Sequence, residues 1–154
     1  VPKITDQVSD SGIYLLEIIA PDDFYTAIKK YEGRKFPKGF YYYAGSAQKN
    51  LRKRIERHLK KSKNIYWHID YITSRFDINK IFIFNKEGKD FECDLVAELL
   101  EHFGLISTAP GFGNSDCNRC DSHLLYSERQ LDYNHFISRY QSIVRFIPSS
   151  SETF

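Results

Sequence analysis

Residues 40–61, FYYYAGSAQKNLRKRIERHLKK, change their periodicity within a single stretch. Four consecutive aromatics followed by Ala44-Gly45-Ser46 read as a strand over 40–47, stopped at the Gly-Ser pair. From Lys49 to Lys61 the apolar residues Leu51, Ile55 and Leu59 recur every four positions, which predicts a helix with those three buried. A half-exposed strand needs a neighbour, and residues 12–19, GIYLLEII, supply one before Ala20-Pro21 ends them. Sequential strands usually pair, so these two are expected to form a hairpin. Between them, Pro21, Gly33, Pro37 and Gly39 predict an irregular excursion with room for one extra strand or helical turn.

Downstream, residues 65–73 read as a short helix and 78–84, INKIFIF, as a third strand. Residues 92–103 form an amphipathic pattern closed by Gly104, a natural helix stop. A long loop to Ser122, a strand at 123–126 and a last helix over 128–144 complete the chain. The sum predicts an α+β fold: a small, mainly antiparallel three-stranded sheet flanked by helices, with a C-terminal loop and helix extension. Residues 1–147 are expected to be one domain and 148–154, ending SSSETF, a flexible tail.

The 154 residues, 42% hydrophobic and 27% charged, suffice for a real core and argue against wholesale disorder. No apolar run approaches the roughly 20 residues of a membrane span, and VPKITDQVSD lacks a signal-peptide core. Three cysteines exclude a fully paired disulfide set, so a reducing, cytoplasmic setting and no membrane partner are expected. The formal net charge of +2 hides an asymmetry. Lys29 to Lys63 holds 13 basic and two acidic residues, a balance of +11, leaving −9 for the remainder. Interleaved with Phe36 and Phe40 to Tyr43, such a stretch suits a phosphate-backbone contact surface; a solvated helix face is the alternative.

Four pieces then stand in order: Gly12-Ile13-Tyr14 on the first strand, Tyr43-Ala44-Gly45 on the second, Arg54-x3-His58 on the helix after it, and Glu92 opening a later helix. Together they resemble the GIY-YIG endonuclease superfamily, with Ala at the middle position of the second triplet. The flanks Phe36-Pro37-x-Gly39, Ser46-Ala47, Trp67-His68-Ile69-Asp70-Tyr71, Gly111-Phe112-Gly113-x-Ser115-Asp116-Cys117 and His123-Leu124 are similar to one compact archaeal and bacterial branch. That branch was long labelled a domain of unknown function and is sometimes fused to endonuclease-III-type DNA glycosylases.

The resemblance implies a metal-dependent DNA endonuclease that hydrolyses phosphodiester bonds, with structure- or damage-directed cutting in DNA repair among its roles. Such chemistry needs an activated water, charge stabilisation on phosphoryl oxygens and a divalent ion with open positions. Glu92 matches the family's ligand for Mg²⁺ or Mn²⁺, with Glu98 as fallback and Asp94 as surface charge. Tyr14 and Tyr43 would face each other across the strands, Tyr14 nearer the attacking water. A phenol titrates near 10, so basic action would require nearby positive charge or metal-bound water. Arg54 would clamp phosphate, in preference to Arg52 on the other flank of the helix. His58, one turn on, would act as acid or base, or merely touch phosphate.

At about 100° per residue, Lys53 and Arg57 point away from that stripe. They join Lys35, Lys38, Ser46, Lys61 and His68 as expected nucleic-acid contacts. Trp67 and Tyr71 read as packing residues, and Asn114 or Asp116 would brace the site. Cys117-x2-Cys120-x2-His123 has metal-knuckle spacing, and Cys93 could add a fourth ligand to a structural zinc; tight loop packing is the other reading. The expected partner is DNA rather than RNA, with the chain a monomer or a dimer. The competing reading is a non-catalytic nucleic-acid-binding module that keeps the fold without turnover.

Overall fold

The chain runs β1 (Gly12–Ala20), a 3₁₀ turn (Lys29–Tyr31), β2 (Gly39–Ala47), α1 (Leu51–Leu59), α2 (Asp70–Thr73), β3 (Ile78–Asn85) and α3 (Lys89–His102). Then follow β4 (Ile106–Ser107), β5 (Leu124–Ser127), α4 (Tyr133–Ser138), β6 (Val144–Ile147) and β7 (Glu152–Thr153). This computed structural model describes residues 7–113, 119–140, 143–148 and 152–153.

The strand β1 is central because both its faces are apolar. Ile13 and Leu15 pack into one core, while Tyr14, Leu16 and Ile18 pack into the other. Burying each such Leu or Ile is worth about 1.5–3 kcal/mol, so β1 is stable only between two covered faces. Antiparallel β2 and β3 flank it, with Tyr14 opposite Gly45 on one side and Ile83 on the other. The α1 and α2 helices, with Ile69 just before α2, cover the Tyr14 face through Leu51, Ile55 and Ile72. The α3 and α4 helices cover the opposite face through Leu95, Val96, Leu99 and Phe136.

The α+β class and the β1–β2 hairpin are present, but the sheet is larger than the expected three strands. Its order is β4-β5-β2-β1-β3-β6-β7, all antiparallel. One added edge comes from the 123–126 strand, which pairs with β2 through Tyr43 and Leu124. The other comes from a misread segment. The helix expected over 128–144 is only Tyr133–Ser138, started by the Asp132 carboxylate accepting from the His135 amide at 3.2 Å. Residues Val144–Ile147 instead pair with β3. Their β-branched and aromatic character fits an edge strand better than the tail of a helix. Glu152–Thr153, within the segment expected as a tail, pairs with β6.

Local chemistry explains two other boundaries. The helix expected over 65–73 shrinks to Asp70–Thr73, because the buried Asp70 carboxylate takes the amides of Tyr66 and Trp67, both at 2.8 Å. The α1 helix begins where Asp10, just upstream of β1, accepts the Asn50 amide on its carboxylate and the Leu51 amide on its carbonyl, both at 3.0 Å. At the other end, the Lys63 ammonium donates to the carbonyls of Arg57 and His58 and to the Thr73 hydroxyl at 2.7 Å. The start of β1, the end of β2 and α1 are thereby tied together. Among the described residues, no helix is long and apolar enough to cross a membrane.

Candidate active-site cleft

Where β1 starts and β2 ends, a cleft of about 750 Å³ opens, lined by Tyr14, Tyr43, Gly45, Ser46, Arg54, Trp67, His68, Lys89, Glu92 and Arg119 among others. The β-register places Tyr14 opposite Gly45 and Tyr43 opposite Leu16. The two tyrosines are therefore diagonal neighbours on one face, rather than directly opposed. Gly45 exists to admit Tyr14: a Cβ there would lie 2.4 Å from Cζ of the ring and 2.5 Å from its hydroxyl. Gly113, at φ +67°, does the same for Tyr43, whose ring would come within 2.7 Å of an added Cβ.

Tyr14 is buried, and its hydroxyl is 2.7 Å from Nε2 of His58. Burial, reinforced by the neighbouring Tyr43, holds its pKa well above the ordinary phenol value; the Arg54 guanidinium opposes this and the Glu92 carboxylate adds to it. Tyr43 is pushed up by burial and by Glu92, against Arg54. Both phenols thus keep their protons at neutral pH. His58 is lowered to about 3, chiefly by burial and then by Lys63, so its ring is neutral. Its Nδ1 is buried without a hydrogen-bond partner.

The α1 helix brings Arg54 and His58 to the same side but to different depths. His58, expected as an acid or base or else as a phosphate contact, is 1% exposed and does not line the cleft; its Nε2 meets the Tyr14 hydroxyl. Arg54 does line the cleft, with Nη1 donating to the Ser46 carbonyl at 2.5 Å and its guanidinium 4.9 Å from the Trp67 ring. Glu92 sits in the first turn of α3, where a carboxylate complements the helix dipole. It is 7% exposed, and its Oε2 is 3.6 Å from Nδ1 of His123. Burial lowers the His123 pKa, opposed by the Gly113 backbone.

The expected nucleic-acid contacts divide sharply. Ser46 and His68 line the cleft. Arg57 does not: its guanidinium grips the fully buried Asp70 through two bonds of 2.7 and 2.8 Å and stacks on Trp67 at 4.6 Å. Arg57, expected among the nucleic-acid contacts, is thus held by Asp70 within the fold. Burial raises the Asp70 pKa, but the bonds from Arg57 and the Trp67 and Tyr66 amides outweigh it, and the net direction is down. Lys35 pairs with Asp23 at 3.6 Å and Lys61 with Asp77 at 2.8 Å, both away from the cleft. Lys38 and Lys53 are exposed outside it as well. The fallback carboxylate Glu98 pairs with Arg139 at a different surface, and Asp94 pairs with Arg119.

Sequence reasoning missed Lys49, Lys89, Arg119 and Tyr66 as cleft residues. Lys89 and Arg119 come from the acidic remainder of the chain, where a search for basic runs has no signal. Cys93, Cys120 and His123 place one ligand atom each within 4.8 Å of one another. Asn114, Asp116 and Cys117, also nominated by the sequence, lie outside the described residues. Residues 13–145 match the model of a family described as a domain of unknown function, DUF123. Neither a curated protein nor a solved structure matches the chain.

Proposed function

The chain belongs to the DUF123 family, and from the residues of its cleft we propose that it is a metal-dependent DNA endonuclease of the GIY-YIG type, hydrolysing phosphodiester bonds. One observation supports this reading above the rest: two buried tyrosines, a stacked arginine and a helix-opening glutamate converge on one cleft, with a neutral histidine bonded behind one tyrosine. These are the residues of the ordered motif set, drawn from four separate elements.

Each side chain has a task its environment permits. Arg54, anchored on the Ser46 carbonyl and stacked on Trp67, loses little side-chain entropy when its fork meets phosphoryl oxygens. In the Nδ1-protonated tautomer, neutral His58 would accept a hydrogen bond from the Tyr14 hydroxyl on Nε2 without taking its proton. The Tyr14 oxygen would then offer its lone pairs to donors on the cleft side, the Arg54 guanidinium and the attacking water. A phenol titrating well above 10 and an imidazole near 3 take up no net proton at pH 7. Tyr14 is therefore an orienting catalytic residue, and His58 a positioning residue behind it. Tyr43 offers its hydroxyl as a donor to the phosphate or to the same water. The Glu92 carboxylate, a hard oxygen donor lining the cleft, would hold a divalent cation such as Mg²⁺ or Mn²⁺. Such a cation would supply Lewis acidity toward phosphate and an acidified water.

Lys49, Lys89, Arg119 and His68 around the same cleft, with the 78%-exposed Tyr66 ring at its rim, suit a phosphate backbone and stacked bases. Backbone contacts carry no sequence information, so structure- or damage-directed cutting is the expected mode. The test is incubation with duplex, flap, nicked, abasic and single-stranded DNA and matched RNA, with and without Mg²⁺. Mg²⁺-dependent cutting that Glu92→Ala abolishes is the expected result. No cutting of any substrate, or equal cutting by Glu92→Ala, overturns the proposal; salt-sensitive binding without cutting would identify a binding module.

A further inference from the structure

We propose that Cys93, Cys120 and His123 hold a zinc ion whose histidine ligand braces Glu92. The three residues come from the first half of α3 and from the loop that enters β5, yet their ligand atoms lie within 4.8 Å of one another. Tetrahedral zinc with Zn–S near 2.3 Å requires ligand separations of about 3.8 Å, so closing the site takes about 1 Å of side-chain movement. Two thiolates and an imidazole are a soft donor set, suited to zinc and poorly suited to the hard cation assigned to Glu92.

The loop is not free to drift from this position. The His123 amide donates to the Phe112 carbonyl at 3.0 Å, the His123 carbonyl accepts from the Ala44 amide at 3.1 Å, and Gly111 bonds to Asp121 at 2.8 Å. Independently of the cysteines, Nε2 of His123 is buried without a hydrogen-bond partner. That is the condition of an imidazole nitrogen waiting for a ligand. The other nitrogen, Nδ1, faces Oε2 of Glu92 at 3.6 Å. A metal on Nε2 would fix the Nδ1–H tautomer and hold that hydrogen between the Gly113 backbone and the Glu92 carboxylate, a carboxylate–histidine–zinc linkage. Cys93 follows Glu92 directly in the helix, so the same ion pins the backbone on the carboxylate's other side. The zinc site stands without the endonuclease reading; only the bracing of a catalytic Glu92 rests on it.

The experiment measures metal content of the full chain produced in zinc-supplemented medium. About one zinc per chain is expected in the wild type and in Glu92→Ala, and less than a tenth of that in Cys120→Ser and His123→Ala. Cobalt exchanged into the wild type should give thiolate charge-transfer absorption, and half-exposed Cys120 should react with a thiol reagent only after chelation. These two readouts need no variant to fold. Zinc-free wild type without a cobalt–thiolate band, or zinc retained in both Cys93→Ser and Cys120→Ser, overturns the site. For the brace, Mn²⁺ affinity read by paramagnetic resonance should weaken about tenfold on zinc removal; unchanged affinity overturns it. Zinc content is read without any DNA, so a zinc-bound protein that cuts nothing defeats the endonuclease reading alone.

Discussion

Tyr14 and His58 illustrate how burial decides chemistry at the level of single residues. Removing the Tyr14 hydroxyl takes away the group proposed to orient water but leaves the ring that fills the space over Gly45. Tyr14→Phe should therefore fold normally and lower single-turnover cleavage by about 100-fold; retention of more than half the rate would remove Tyr14 from the mechanism. His58 yields a prediction about stability. Its folded pKa, about 3, lies below its unfolded value of 6.5, so its contribution is intact above pH 6.5 and is lost as pH falls toward 3. Between pH 7 and 5 the unfolding free energy should drop by about 2 kcal/mol on this account. Urea titrations at pH 7 and pH 5 should show a drop larger by about that amount in the wild type than in His58→Gln, since His68 and His123 act alike in both. The motif residues were legible because their type and order survive in one dimension. Their depth was not, since helical spacing puts Arg54 and His58 on one side without saying which is covered.

At the scale of elements, the α1 helix shows where periodicity succeeds and where it misleads. Leu51, Ile55 and Leu59 pack as their four-residue recurrence requires. Arg57, which the same wheel directs to solvent, is captured by Asp70, 13 positions away and on another helix, with no helical period to announce it. The Asp70 carboxylate also holds the Tyr66 and Trp67 amides, so one buried charge joins α1, α2 and the loop between them. Arg57→Ala leaves that charge without its counter-ion and should lower the unfolding free energy by about 2–4 kcal/mol in urea titrations. Lys53→Ala, one residue class and one turn away on the open face, should stay within about 0.5 kcal/mol; equal effects would contradict the assignment. The edge strands were hidden for a related reason. Val144–Ile147 earns its strand only by docking on β3, a contact between residues more than 60 positions apart. Glu17 belongs to the same class: buried in β1, it accepts from Tyr42, Asn79 and Gln130, partners from three other segments.

For the whole molecule, the sequence-level charge of +11 between Lys29 and Lys63 overstates what a nucleic acid would meet. Arg57, Lys35 and Lys61 are matched to Asp70, Asp23 and Asp77, acids drawn from outside that stretch. The cleft gathers its own set instead, Lys49 and Arg54 from the basic stretch and Lys89 and Arg119 from the acidic remainder. Location in the fold, rather than density along the chain, should then decide which cations release counterions on binding. Each phosphate neutralised by the protein contributes about −0.9 to the slope of log Kobs against log salt on duplex DNA and about −0.7 on single strands. Lys49→Ala removes an exposed cation that lines the cleft and should flatten that slope by nearly one such contribution. Lys61→Ala removes one that faces Asp77 and should leave it unchanged. Fluorescence anisotropy across a salt series, with Glu92→Ala added to both to prevent cutting, separates the two. Equal flattening would mean that the whole basic stretch, and not the cleft, is the contact surface. A change confined to Lys49 would place the phosphate path across the end of β2 and past Arg54, which is where the proposed chemistry needs it.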